Sequence, residues 1–234
     1  MKLAILMPFY NSGLHFDLES LYKLKLKIPN TSILIVDDGS NEKRSLEILV
    51  QAQNVQNVEI LRLEKNSGKG NALKQGFEFL LQKGKPPNYI AIFDSDFSSS
   101  FEEIKRLTNI CGELNADAVC GCRIKLSGHN IQTDKKRFVI GRLISWFIRY
   151  RFKIKMYDSQ CGYKVFAVNS KLENALKEIQ KPSRWLFDVQ LLLNLSRENA
   201  KLIEEPIRNW THKNDSKIVP IQYWSIIRDL LCIK

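Results

Sequence analysis

The chain has 234 residues, 44% of them hydrophobic, which is enough to bury a substantial core and a length that suits one large domain. Its longest apolar runs, SILIV at 32–36 and LLLNL at 191–195, fall far short of the ~20 residues that cross a bilayer, so no helical span is expected. Lys and Arg number 36 against 25 Asp and Glu, and the net charge of +11 favours a polyanionic partner: nucleic acid, an anionic lipid surface or a phosphorylated substrate.

In chain order, MKLAILMPFY reads as a first strand and not a signal peptide, because Pro8, Asn11 and Ser12 follow it without a small-residue cleavage pattern. A helix is expected at 18–26, then strand SILIVDD and a helix at 42–53, strand VEILRLE and a helix at 70–82, strand YIAIFDSD and a helix at 101–114, and strand ADAVCGC. After Arg123 the polar stretch KLSGHNIQTDKK precedes RFVIGRLISWFIRYRFKIKMY, which is basic and aromatic with apolar residues near helical spacing. Strand GYKVFAV, helices at 171–179 and 184–197, strand KLIEEPI and a last helix from about 221 complete the chain. Apolar runs alternating with helical patterns predict βαβ units, hence an α/β domain with a mostly parallel sheet and helices on both faces. The five cysteines are odd in number and lack paired metal-ligand spacing, which suits a reduced cytoplasmic setting.

Ligands of open α/β sheets bind beyond the carboxyl ends of the strands, and the polar signals fall there: 8–11, 37–40, 66–70, Asp94 with Asp96, and Arg123. Side chains alternate along an extended chain, so Asp94 and Asp96 are expected to point the same way and share a hard dication, Mg²⁺ or Mn²⁺, whose open positions take water and substrate phosphates. The plainer alternative is a capped strand end with one aspartate raised in pKa. The stretch Ser67-Gly68-Lys69-Gly70 is neither a P-loop nor a dinucleotide fingerprint, since Leu73 stands where a third glycine is needed; its amides and Lys69 could still meet an anion at a helix N-terminus.

MPFYN, VDDGS, NSGKGNALKQG, FDSD, GCR, DSQCGYKVF and RWLFDVQLL, in this order, resemble the family 2 inverting glycosyltransferases of GT-A fold. DSQCGYKVF, RWLFDV and NWTHKNDSKIVP are similar, more narrowly, to dolichyl-phosphate β-glucosyltransferases and, less closely, to polyprenyl-phosphate mannosyltransferases. The resemblance implies a single Rossmann-like GT-A domain over 1–234, with the nucleotide-binding part to about 123 and the acceptor side from 124. It implies that Pro8, Tyr10, Asp37 and Asp38 line the nucleoside pocket, with Asp37 or Asp38 accepting a hydrogen bond from the base and Lys69 nearby. Asp94 and Asp96 correspond to the metal-binding pair that holds the diphosphate. Arg123, Ser216 and Lys217 would face phosphate, and Gln160, Cys161 and Gly162 would form a loop near the sugar. Asp188 matches the acidic position that serves as base where the acceptor is an alcohol; here it is either a base or a group that orients Arg123 or a substrate. Its plain structural role is that of an acid in a helix's first turn, stabilised by the dipole.

These implications predict a metal-dependent transfer of a hexose from a nucleotide sugar, UDP-glucose favoured over GDP-mannose, to polyprenyl phosphate; the alternative acceptor is a saccharide hydroxyl. A phosphate monoester is largely ionised at neutral pH, so such an acceptor needs cations more than a base. The basic aromatic segment 137–155 is either a core helix with a solvated face or a helix at an anionic membrane interface, which would place the chain at the cytoplasmic membrane face. Nucleic acid is not expected as a partner: the basic residues are dispersed and no recognition signature is present.

Overall fold

The computed structural model describes residues 2–97, 100–132, 135–211, 228–230 and 233. In chain order the elements are β1 (Leu3–Phe9), α1 (Leu18–Lys27), β2 (Ser32–Asp37), α2 (Lys43–Gln53), β3 (Val58–Arg62), α3 (Lys69–Leu81), β4 (Tyr89–Ile92), α4 (Phe101–Glu113), β5 (Ala118–Cys122), β6 (Asn130–Gln132), α5 (Lys135–Phe152), β7 (Lys164–Ala167), α6 (Ser170–Lys177), α7 (Phe187–Arg197), β8 (Leu202–Pro206) and β9 (Asn209–Thr211). Each expected helix through 197 is present. Of the last one, expected from about 221, only residues 228–230 are described, and they are helical.

Seven strands form one sheet in the order β3-β2-β1-β4-β7-β5-β8. The pairs β1/β2, β2/β3, β1/β4 and β5/β8 are parallel, whereas β7 inserts antiparallel between β4 and β5. Alternate residues of β1 feed opposite cores: Leu3, Ile5, Met7 and Phe9 pack with α1, α2 and α4, while Ala4 and Leu6 pack with α3, α6 and α7. This two-faced burial is why the parallel strands read as unbroken apolar runs. A third cluster joins Ile148 of α5 to Val189, Leu192 and Leu193 of α7, so α7 is apolar on more than one side.

Pro8 lies inside a central strand without costing a ladder bond. Leu6 O accepts from Phe93 N, so Pro8, two residues on, faces the same side, beyond the last β1/β4 pair, Leu6 with Ile92. The short parallel pair β6/β9 has no period-2 apolar signal and was not anticipated from sequence.

Candidate active site

At the ends of β1, β2 and β3, the motif residues knit the loops together. Asp38 accepts from the backbone N–H groups of Ser67 (2.9 Å) and Gly68 (2.7 Å), tying the β2 end to the turn that opens α3. Asp37 Oδ1 accepts from Ser40 N (2.9 Å), and Ser40 Oγ in turn accepts from Asn11 N (2.9 Å). Asp37 is fully buried, and its Oδ2 is one of two buried side-chain atoms among the described residues without a hydrogen bond; Arg62 Nε lies 3.6 Å from it. Of the two acids expected near a base, Asp38 is thus engaged by the chain's own amides, and Asp37 Oδ2, buried beside Arg62, has no hydrogen bond of its own. Pro8 is buried and Tyr10 half-buried at the same strand end.

Gly70, in the first turn of α3, sits where a Cβ would lie 1.9 Å from Ser183 O, and its N–H donates to Arg184 O (3.3 Å). The glycine allows α3 to press against the segment leading into α7. Its amide is therefore used within the protein, which narrows the anion site expected at this helix end to the neighbouring groups and Lys69.

β4 ends at Ile92, earlier than the run IAIFDSD suggests, and Asp94 and Asp96 lie in a turn closed by Phe97 N donating to Asp94 O (3.3 Å). The extended-chain argument for their common direction therefore does not apply. What holds the turn is aromatic packing beneath it: Phe97, at φ +50°, is buried among Phe16, Phe93 and Phe101, with Tyr163 edge-on to Phe93. A left-handed conformation is costly for a bulky residue, and this burial offsets it.

Lys69 Nζ reaches Asp94 Oδ1 at 2.6 Å, and Asp188 and Asp96 also lie within its electrostatic range. Burial alone would raise the Asp94 carboxyl, but Lys69, with Lys164 and Arg123 behind it, holds it below the ordinary carboxylate value. The reading with a raised aspartate is thereby reversed for Asp94. On the other side, Gly162 lies against the same carboxylate: a Cβ there would sit 2.4 Å from Asp94 Oδ2. The missing side chain is what lets the Asp94 carboxylate approach this loop so closely.

Arg123, at the end of β5, is clamped by Asp158: Nε donates to Oδ2 (2.7 Å), Nη2 to Oδ1 (2.8 Å) and the backbone N–H to Oδ2 (3.1 Å), while Trp210 lies under the guanidinium at 5.2 Å. Burial works to raise the Asp158 carboxyl, and Arg123 outweighs it, so the group stays ionised. Asp188, in the first turn of α7, does not orient Arg123; its Oδ2 accepts from Lys164 Nζ at 2.7 Å. Lys164 stands in the apolar strand β7 with a fully buried side chain and also donates to Cys161 O. Burial disfavours its charge, but Asp188 raises it above the ordinary lysine value. Asp158 and Lys164 were not singled out in the sequence, although a lysine inside the apolar run YKVF was the available signal.

Lys69, Lys164 and Arg123 thus stand among Asp94, Asp96, Asp158 and Asp188, so cations and carboxylates are interleaved at this end of the sheet. Among the described residues no group of three or more His, Cys, Asp and Glu could cage a metal. Two carboxylates one residue apart, both all-oxygen donors, nevertheless suit a hard dication that would keep water and phosphate in its other positions. Ser216 and Lys217, expected to face phosphate, lie outside the described residues. The described cysteines are free and buried, and burial pushes Cys161 up to about 11 and Cys120 up to about 12, which makes them packing residues and not nucleophiles.

Compared with known proteins, the chain matches the model of the family Glycosyl transferase family 2 over residues 4–171. It is 26% identical over 238 residues to a dolichyl-phosphate beta-glucosyltransferase of Dictyostelium discoideum, covering 93% of this chain and 69% of that protein. It is 28% identical over 255 residues to the Homo sapiens protein of the same name, covering 100% of this chain and 75% of that one. Glucosyl-3-phosphoglycerate synthase from Mycobacterium tuberculosis, solved in complex with Mn²⁺ and UDP-glucose, superimposes with a TM-score of 0.67 at 11% identity over 99% of this chain and 77% of its own. With a GT-A sheet and a family match over well more than half its length, the chain belongs to glycosyl transferase family 2 and is a glycosyltransferase.

Proposed function

We propose that this glycosyltransferase moves glucose from UDP-glucose to a polyprenyl phosphate with inversion. The acceptor class is carried by one observation, the ion pair between Asp188 and the fully buried Lys164. The acid in position to deprotonate an alcohol thus has its Oδ2 engaged by a buried ammonium and is committed to a structural pair. An acceptor that brings its own charge needs no such base. The names of the relatives support both the sugar and the lipid phosphate.

In this reading Asp94 and Asp96 would hold Mg²⁺ or Mn²⁺, which when bound supplies positive charge to the departing diphosphate. Lys69, at the N-terminus of α3, adds a cation on the same side. Asp37, whose Oδ2 has no hydrogen bond within the chain, receives the base, and Pro8 and Tyr10 flank it. Arg123, fixed in direction by Asp158, attracts the acceptor phosphate. A phosphate oxygen attacks the anomeric carbon from the face opposite the leaving group, the bond to the nucleoside diphosphate breaks, and its electron pair departs with the diphosphate. No proton has to move.

The test supplies the purified chain with Mn²⁺, radiolabelled UDP-glucose, and either a short-chain polyprenyl phosphate or a soluble saccharide. Labelled glycolipid is expected. Product with the saccharide alone would overturn the acceptor, and thermal stabilisation by GDP-mannose but not UDP-glucose would overturn the donor.

A further inference from the structure

Helix α5 buries one side and leaves another apolar. Ile148 and Ser145 are buried, with Ile144, Phe147 and Phe152 packed on the cluster shared with α7. Val139, Leu143, Trp146 and Tyr150 are exposed by 55%, 61%, 62% and 75%. Their spacing of four, three and four residues places all four on one stripe of the helix surface. Trp146 and Tyr150 stack at 5.8 Å, so two of the largest side chains form one flat apolar surface toward solvent. Such a contiguous stripe on a helix that already has a buried face needs a second partner.

Charge selects that partner. Residues 135–157 contain eight Lys and Arg and no Asp or Glu. Arg149, Arg151, Lys153 and Lys155 are exposed at the C-terminal end of the stripe. A second copy laid on this face would bring like charges together around a two-fold axis, which disfavours self-association. An anionic bilayer accepts both features: aromatic and aliphatic groups enter the headgroup boundary, and the basic rim meets lipid phosphates.

We propose that the outer face of α5 is a docking surface for an anionic lipid bilayer. The surface is coupled to the site through Arg142, which stacks on Tyr157 at 3.4 Å and donates to Tyr157 O (2.7 Å), next to the Asp158 that grips Arg123. Docking would therefore bring the site's phosphate-facing arginine to the membrane edge. This extends the lipid-phosphate reading, and it is tested without turnover so that the two fail separately.

The full chain, free of nucleotide sugar and acceptor, is sedimented with vesicles of phosphatidylcholine alone or mixed with phosphatidylglycerol. The wild type is expected to pellet with the anionic vesicles, less so as salt rises. The triple variant Leu143→Ser, Trp146→Ser, Tyr150→Ser should bind at least about tenfold more weakly with an unchanged melting temperature, since these side chains are exposed. Arg149→Glu with Arg151→Glu should weaken binding to anionic vesicles only. The proposal is overturned if the wild type stays in the supernatant with anionic vesicles, if the variants pellet as the wild type does, or if ultracentrifugation shows a wild-type dimer that the triple variant abolishes. Vesicle binding without glycolipid formation would leave the docking surface standing and remove the acceptor assignment instead.

Discussion

The two sides of the site use aspartate for opposite ends. Beyond β1, β2 and β3, carboxylates accept from backbone amides: Asp38 from Ser67 and Gly68, Asp37 from Ser40. Beyond β4, β5 and β7, carboxylates meet side-chain cations: Asp94 with Lys69, Asp158 with Arg123, Asp188 with Lys164. An amide-bound acid shapes a loop and cannot change partner without unravelling it. An ion-paired acid holds charge that a phosphate or a dication can repartition. The first side is built for shape and the second for exchange, so perturbations of the second side should show most clearly in stability and in metal and phosphate binding.

The largest expected effect is on the deepest pair. Lys164→Met leaves the Asp188 carboxylate without its partner beside a desolvated strand, and should destabilise the chain by about 4 kcal/mol in urea unfolding. Adding Asp188→Leu should recover most of that loss, because no charge is then orphaned. A single variant as stable as the wild type would show that the pair is not what holds β7 to α7.

Next comes Asp96→Asn, which keeps size and turn geometry but removes one of the acids assigned to the dication. Turnover should fall about 10²–10³-fold while the melting temperature stays within a few degrees. Full activity in this variant would sink the metal assignment.

How much of this was legible beforehand follows the same division. The parallel strands, the helices through 197 and the polar clusters at strand ends follow from apolar runs and motif spacing, because local pattern and tertiary role agree there. The antiparallel insertion of β7 was hidden, since KVF carries no mark of strand direction. Asp158 and Lys164 were hidden for a related reason: their partners Arg123 and Asp188 lie 35 and 24 residues away in sequence, and only the sheet order brings them together. The turn at Asp94 was misjudged because Phe93 to Asp96 read as a continuation of the strand, whereas burial of Phe93 and Phe97 in an aromatic cluster bends the chain. The glycines of NSGKGNALKQG suggested an anion cradle, and Gly70 turned out to admit Ser183.

Gly162→Ala probes the space beside Asp94 without altering any charge. Its Cβ would press on Oδ2 from 2.4 Å, so the carboxylate must rotate toward Lys69 or the loop must shift. Mn²⁺ affinity, read by titration calorimetry in the presence of UDP, should weaken about 10–100-fold. Stability should change little by comparison, which distinguishes a displaced ligand from a broken pair.

The smallest effect is a pH dependence of the clamp on Arg123. Asp158 has a folded pKa below its ordinary value of 3.8, because Arg123 outweighs the effect of burial. A depressed carboxyl contributes stability that is fully present above that ordinary value and is lost as pH falls through the folded one. The stability difference between the wild type and Asp158→Asn should therefore be flat from neutral pH to about pH 5 and shrink by about 1–2 kcal/mol as acid protonates Asp158 below pH 3.8. Paired urea titrations across that window measure it. A wild-type advantage that grows on acidification would mean that Asp158 is not the ionised partner of Arg123, and the exchangeable side of the site would lose the residue that aims its arginine.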